Sequence, residues 1–278
     1  MGIVVLGGTG NLGKLVAAEL IRRGETVRAC GRKDGDARDP EVVTKLAESA
    51  SAIIDCAGAS VAMGFGRGWR GYRAVDTPIG MAAIAAAKRT GARLVYIGVA
   101  HAPELAYCTY IDAHERVAAA MGDIDGVVIR PTGLFSAYAS LLPMAKRGFL
   151  VDLGKGHTRT NPIDDGELAT IIADAVHGDG PREIACGGPE VMTRREIFEL
   201  VGRAGGQKRV RGFPVWLARM NATMLRLVHP RIAQFMQFAV GLAEHGVVAP
   251  VMGTKRFADH ISESGGTSMP CLRITSKL

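Results

Sequence analysis

Residues 3–23, IVVLGGTGNLGKLVAAELIRR, decide the fold. The run Ile3-Val4-Val5-Leu6 is short, apolar and β-branched, which suits a strand covered on both faces. After it Leu12, Leu15, Val16 and Leu20 recur at helical spacing, with Lys14, Glu19, Arg22 and Arg23 mostly on the opposite side, so a helix begins near Gly10. Between them lies Gly7-Gly8-Thr9-Gly10-Asn11-Leu12-Gly13, a G-x-x-G-x-x-G turn. So tight a strand-to-helix turn needs residues without a Cβ, to make the turn, to admit a pyrophosphate to the backbone, and to pack helix on strand. The helix N-terminus then offers free N–H groups and positive dipole to phosphates. Set after a strand and before a helix, the pattern predicts dinucleotide binding; a glycine-rich turn of another α/β protein is the competing reading.

Working outward, Thr26 to Cys30 reads as a second strand, followed by Cys30-Gly31-Arg32-Lys33. Many NAD-binding folds place there a carboxylate for the ribose 2′-hydroxyl. Two cations stand here instead and point to the 2′-phosphate of NADP (NADPH), rather than to NAD; a solvated basic loop is the alternative. Asp36 and Ala37 follow in a loop, and Pro40 opens a helix to about Ser49. A third strand, Ser51 to Asp55, ends in Cys56-Ala57-Gly58, small residues that let adenine and ribose lie against backbone, or that simply turn the chain. A glycine-rich loop over 59–71 carries Arg67, Trp69 and Arg70. A helix from about Tyr72 to Thr90 stops at Gly91, and Leu94 to Ile97 forms a fourth strand. The helix Tyr110 to Met121 puts Tyr110 and His114 on one face. Val127 to Ile129 is a fifth strand, broken at Arg130-Pro131-Thr132-Gly133.

This alternation predicts an α/β fold, a doubly wound parallel (Rossmann) sheet over residues 1–150. A small, mixed, mostly helical lobe over 151–261 should cover the substrate, some segments returning to the sheet, with a flexible tail at 262–278. Within the lobe, Asn161 to Asp165 precedes a helix to about His177, Glu183 to Cys186 is a short strand, and Thr193-Arg194-Arg195-Glu196 is a capping box. Two proline-started helices carry Trp216, Leu217, Met220, Met224 and Leu227, then Ile232, Phe235, Met236 and Phe238. These stripes read as core or as the lining of an apolar substrate site rather than as a membrane or partner surface.

The formal net charge is +7, from 34 Lys and Arg against 27 Asp and Glu. The cations read as spread along the chain, so no nucleic-acid surface is expected, and Gln234, Gln237, Glu244 and His245 interrupt the apolar stretch Ile232 to Val251, so no membrane span is expected. The five cysteines form no C-x-x-C pair and suit a reducing, cytoplasmic setting, and the histidines lack metal-ligand spacing, so no metal is expected. No leader peptide is expected, since Met1-Gly2 runs straight into the first strand. The terminal Ser276-Lys277-Leu278 matches a peroxisomal address, meaningful only in a eukaryote.

Taken together, the turn Gly7 to Gly13, the basic loop at Arg32, Asp36-Ala37, Cys56-Ala57-Gly58, Tyr72 to Asp76, Ile129 to Gly133 and Asn161 to Asp165 resemble the atypical short-chain dehydrogenases/reductases of the NmrA-like NAD(P)H-binding group. That resemblance covers the chain to about His260. It implies a Rossmann domain with a small lobe over the active site, and in many members a Tyr-x-x-x-Lys pair with a Ser or Thr after the fourth strand. Here Tyr110 is followed at the fourth position by His114, and the strand runs Ile97-Gly98-Val99-Ala100 with no hydroxyl.

The expected activity is NADPH-dependent hydride transfer to an apolar carbonyl, quinone or enone-like small molecule. The alternative is a non-catalytic NADP-binding redox sensor, regulator or assembly factor. Tyr110 is the expected proton donor, with His114 supplying positive charge only below its reference pKa of about 6.5, so reduction should quicken on the acid side of neutrality; the alternative is that Tyr110 and His114 are an ordinary i, i+4 pair that only positions the nicotinamide ribose.

Overall fold

The protein is described here by a computed structural model covering residues 2–59, 70–178 and 180–266. Arg67, Trp69 and the Ser276-Lys277-Leu278 terminus lie outside the described residues.

In chain order the elements are β1 (Gly2–Leu6), α1 (Asn11–Arg22), β2 (Val27–Cys30), α2 (Pro40–Leu46), β3 (Ala50–Asp55), α3 (Asp76–Thr90), β4 (Arg93–Ile97), α4 (Thr109–Ala120) and β5 (Gly126–Pro131). They continue as α5 (Phe135–Ala139), α6 (Leu142–Lys146), β6 (Val151–Leu153), β7 (Arg159–Thr160), α7 (Asp165–Asp174), β8 (Glu183–Cys186), β9 (Met192–Thr193) and α8 (Arg194–Ala204). The last are β10 (Arg211–Phe213), α9 (Val215–Val228), α10 (Pro230–Glu244) and α11 (Phe257–Gly266).

Six strands form one parallel sheet in the order β2-β1-β3-β4-β5-β8. The winding reverses between β1 and β3, and folds wound in this way bind ligands in the crevice outside the carboxyl ends of the strands at that point. Alternation within β1 covers both faces: Ile3 and Val5 pack with α1 and α7, Val4 and Leu6 with α2 and α3. Each fully buried Val, Ile or Leu contributes about 1.5–3 kcal/mol to holding these layers together.

The expected terminators are present. Gly91 ends α3 at φ 72°, and Thr193 and Glu196 form a reciprocal capping box on α8. Several boundaries differ from the reading of the sequence. The helix expected from Tyr72 is a short 3₁₀ turn, Tyr72–Ala74, broken at Val75 before α3 begins. β5 does not stop at Ile129: Arg130 and Pro131 pair with Ala185 and Cys186 of β8, and the Pro131 carbonyl accepts from Ala100 N–H at 2.9 Å. Proline is tolerated there because it holds the last strand position. The expected tail is helical as far as Gly266, since α11 anchors itself by burying Phe257 and Ile261.

Phe135, Leu142, Leu150, Phe198, Val210 and Phe257 form the core of the lobe, so its packing starts ahead of residue 150. Between its two halves, α7 lies against α1 and β8 adds the sixth strand. Asn161 clips the parts together. Its buried side-chain amide donates to the carbonyls of Gly188 and Ala249 at 3.1 and 2.9 Å, its Oδ1 accepts from Ala249 N–H, and its own carbonyl accepts from the Thr132 hydroxyl at 2.6 Å.

Candidate active site

The glycine turn stands at the crevice. Gly7 adopts φ +71°, and a Cβ there would lie 2.7 Å from the Ala57 Cα and the Cys56 carbonyl. At Gly13 a Cβ would collide with the Gly7 carbonyl, so the first turn of α1 lies directly on the end of β1. Gly10 caps α1 with no side chain hydrogen-bonded to the helix start. Thr9, Gly10 and Asn11 are exposed and Leu12 is half-buried. The open N–H groups and their dipole are therefore available to an anion, and a cofactor pyrophosphate fits the cradle as this chain builds it.

Thr9 abuts Gly31, which brings the loop after β2 beside the turn. Arg32 and Lys33 are exposed there, and neither enters an ion pair among the described residues. Asp36 is occupied. It accepts from the guanidinium and backbone N–H of Arg38, which holds its carboxyl down to about 2, with Arg70 close enough to lower it further. Ala37 packs at the edge of the core beside α2.

Cys56, Ala57 and Gly58 line the opposite wall, next to Gly7. Two buried carboxylates unmarked in the sequence reading hold them. Asp55 Oδ1 accepts from Ala57 N–H at 3.0 Å, Asp76 Oδ1 accepts from Ala59 N–H at 2.6 Å, and the second oxygen of each has no partner among the described residues. Burial raises both to about 7. Nothing in their spacing announces this, for Asp55 and Asp76 sit on separate elements.

Tyr110 lies deeper along the same edge, half-buried, in contact with the rings of Tyr72, His114 and Phe238 at centroid distances of 4.9, 4.9 and 4.8 Å. Burial raises its pKa well above the ordinary phenol. His114 Nδ1 meets the Tyr96 hydroxyl at 2.7 Å, and burial pushes His114 down to about 4. The acid-side quickening expected from this ring therefore moves out of the neutral range, because desolvation outweighs the neighbouring Glu115 charge. Pro131, Thr132 and Gly133 make the joint to the lobe: the Thr132 hydroxyl is given to Asn161, and the Gly133 carbonyl accepts from Ile163 N–H at 3.0 Å.

A charged cluster stands just past β4. His101 Nδ1 faces the Ala102 carbonyl at 2.9 Å and Nε2 faces Glu115 Oε1 at 3.2 Å. Both neighbours are acceptors, so the ring makes both bonds only as an imidazolium, and its pKa is raised chiefly by Glu115. Arg130 bridges Glu115 and Glu183. The only sign of this group in the sequence is a histidine four residues beyond the end of β4. No cluster of His, Cys, Asp and Glu that could hold a metal occurs among the described residues, and no helix among them is long and apolar enough to cross a membrane.

Residues 3–103 match the NAD dependent epimerase/dehydratase family. Comparison of the sequence with curated proteins finds no match. Among solved structures, the chain is similar to dTDP-4-dehydrorhamnose reductase from Bacillus anthracis in complex with NADP, at 14% identity over 87% of this chain and 98% of that one, with TM-score 0.64. It is similar to UDP-glucose 4-epimerase from Thermus thermophilus complexed with NAD, at 16% identity over 77% and 86%, TM-score 0.60. The UDP-glucose 4-epimerase of Thermotoga maritima, with UDP-glucose, gives 15% identity over 77% and 86%, TM-score 0.62. The match is to this broad group, and the narrower NmrA-like resemblance gains no separate support from it. Over residues 3–103 the chain is thus similar to the NAD dependent epimerase/dehydratase family, and as a whole it has the Rossmann fold seen in these solved structures.

Proposed function

We propose that the protein is an oxidoreductase that binds a nicotinamide dinucleotide, NADPH in preference to NADH, and moves hydride to or from a small apolar carbonyl, quinone or enone. The observation that carries the reading is the crowded glycine turn at an uncapped helix start. The family match over these residues supports it. Gly7, Thr9, Gly10, Asn11, Leu12 and Gly13 would hold the pyrophosphate, Arg32 and Lys33 the 2′-phosphate, and Cys56, Ala57 and Gly58 the adenosine side. The cofactor supplies the hydride. The chain itself contributes an aromatic wall of Tyr72, Tyr110 and Phe238 that excludes water from the acceptor. Tyr110, whose ring forms part of that wall, would be the group that gives the proton.

A non-catalytic, NADP-binding regulator is the second reading, favoured by one observation: His114, at the position where a lysine would stand, is neutral and engaged with Tyr96. The test is to follow NADPH absorbance with the purified protein and a panel of carbonyls, quinones and enones. Consumption with any member supports the enzyme, while tight NADPH binding without consumption across the panel supports the regulator.

A further inference from the structure

Lys and Arg are spread along this chain, but one stretch has no acidic residues to balance them. Between Arg203 and Ala243 stand Arg203, Lys208, Arg209, Arg211, Arg219, Arg226 and Arg231 with no Asp or Glu, so this one segment carries the whole formal net charge of +7. It folds as the end of α8, β10, α9 and α10.

α9 also overturns the reading of its stripe as core. Trp216, Met220, Met224, Leu227 and Val228 are all exposed, Trp216 by 67% and Leu227 by 88%. Trp216, Met220, Met224 and Leu227 stand at helical spacing on the side of α9 away from buried Ala218. Arg211, Arg219 and Arg226 are exposed along the same stretch. At the foot of the helix, Arg209 and Arg211 line a cavity of about 450 Å³ with Arg195 and Glu199.

An exposed Trp-, Met- and Leu-bearing stripe flanked by arginines has the composition of a helix lying in a membrane interface. We propose that α9 docks on an anionic phospholipid bilayer, its Trp216-to-Leu227 stripe among the acyl chains and its cations at the headgroups. Charge complementarity selects this occupant over a second copy of the chain. A two-fold contact through α9 would bring the cation-only segment against itself; of the carboxylates that flank it in sequence, Glu244 is bound to Arg219 at 2.6 Å and Glu199 lines the cavity with Arg195, Arg209 and Arg211. A bilayer rich in anionic lipid offers the opposite sign over the whole face.

The docked helix adjoins the site. α9 packs on α10, whose Phe238 touches Tyr110 and whose Gln234 accepts from Tyr72 N–H at 3.0 Å. Lipid would thus lie beside the wall through which an apolar substrate enters. The docking itself stands apart from the proposed reaction and is read without cofactor.

The test is co-sedimentation of the full chain with vesicles of phosphatidylcholine and phosphatidylglycerol at roughly 2:1, against phosphatidylcholine alone, at low and high salt. In a Trp69→Phe background the emission of Trp216 reports insertion. Docking predicts at least about tenfold more binding to the anionic vesicles, a blue shift of Trp216, and loss of most binding at high salt. The double variant Trp216→Ser/Leu227→Ser and, separately, Arg211→Glu/Arg226→Glu should each weaken binding about tenfold with an unchanged circular dichroism spectrum. Absence of binding, equal binding to neutral vesicles, or unchanged binding by both variants would overturn the proposal. So would a dimer by light scattering that Trp216→Ser/Leu227→Ser converts to a monomer, since a second copy would then cover the stripe. NADPH consumption is measured separately, so failure of one reading leaves the other standing.

Discussion

The hydroxyl of Tyr96 and Nδ1 of His114 share a hydrogen bond of 2.7 Å, which ties α4 to β4. Burial raises the phenol and lowers the imidazole, so the pair is neutral whichever atom holds the bridging proton.

With His114 held at about 4, turnover should show no inflection from this ring between pH 5 and 9. NMR titration of the His114 ring checks the assignment directly. For stability the sign is that of a depressed histidine: the unfolded state takes up a proton near 6.5 and the native state near 4, so stability from this group is lost as pH falls through that interval. If Tyr110 is the proton donor, Tyr110→Phe should lower the rate of reduction by about 10²- to 10⁴-fold at every pH, and an unchanged rate removes it from the mechanism.

Arg32→Ala should weaken NADPH roughly 10- to 100-fold and leave NADH nearly unchanged, because a hydrogen bond to a charged group contributes about 1.5–3 kcal/mol. Calorimetric titration of both cofactors measures it. Equal affinities in the unsubstituted protein would dispose of the preference.

Asp55→Asn should stabilise the protein at pH 8 by about 1–3 kcal/mol and do little at pH 4. The native carboxyl titrates near 7, above its unfolded value, so its contribution is intact below the unfolded pKa and lost as pH rises through 7. Asparagine keeps an oxygen for Ala57 N–H. Melting temperatures at the two pH values provide the comparison, and a variant less stable at pH 8 would refute the assignment.

His101→Gln should act in the opposite range to His114. The native His101 is raised by Glu115, so its stabilisation is complete below the unfolded pKa near 6.5 and fades as pH rises through the native value. The variant should melt below the parent at pH 6 and close to it at pH 9. An equal deficit at both would mean that packing, not charge, is what the ring supplies.

Gly13→Ala should cost several kcal/mol or prevent folding, because the added methyl meets the Gly7 carbonyl and neither strand nor helix can retreat from a packed core. Chemical denaturation is the measurement, and a variant of parental stability would show the turn to be looser than drawn.

What the sequence disclosed was local. The β1 turn, the left-handed Gly91 cap and the Thr193–Glu196 box are each written within a few residues, where sterics and capping decide the outcome. Asp55 and Asp76 were not legible, since a carboxylate at a strand end or at a helix start looks like turn or capping chemistry until tertiary packing buries it. His114 was legible as a residue beside Tyr110 but not as a neutral one, because desolvation is set by what packs over α4. Periodicity located α9, yet a helical stripe names a face and not what covers it, and here the face is open.

The clip at Asn161 and the late strand β8 bear on how such a chain could be recombined. Lobe segments lie on both sides of α7 and β8 along the gene, so a single crossover cannot transplant the lobe without also removing an edge strand of the sheet. A chimera with a relative needs two grafts that both preserve the Asn161 contacts. The lobe is therefore more readily altered by substitutions in place than by exchanging it whole.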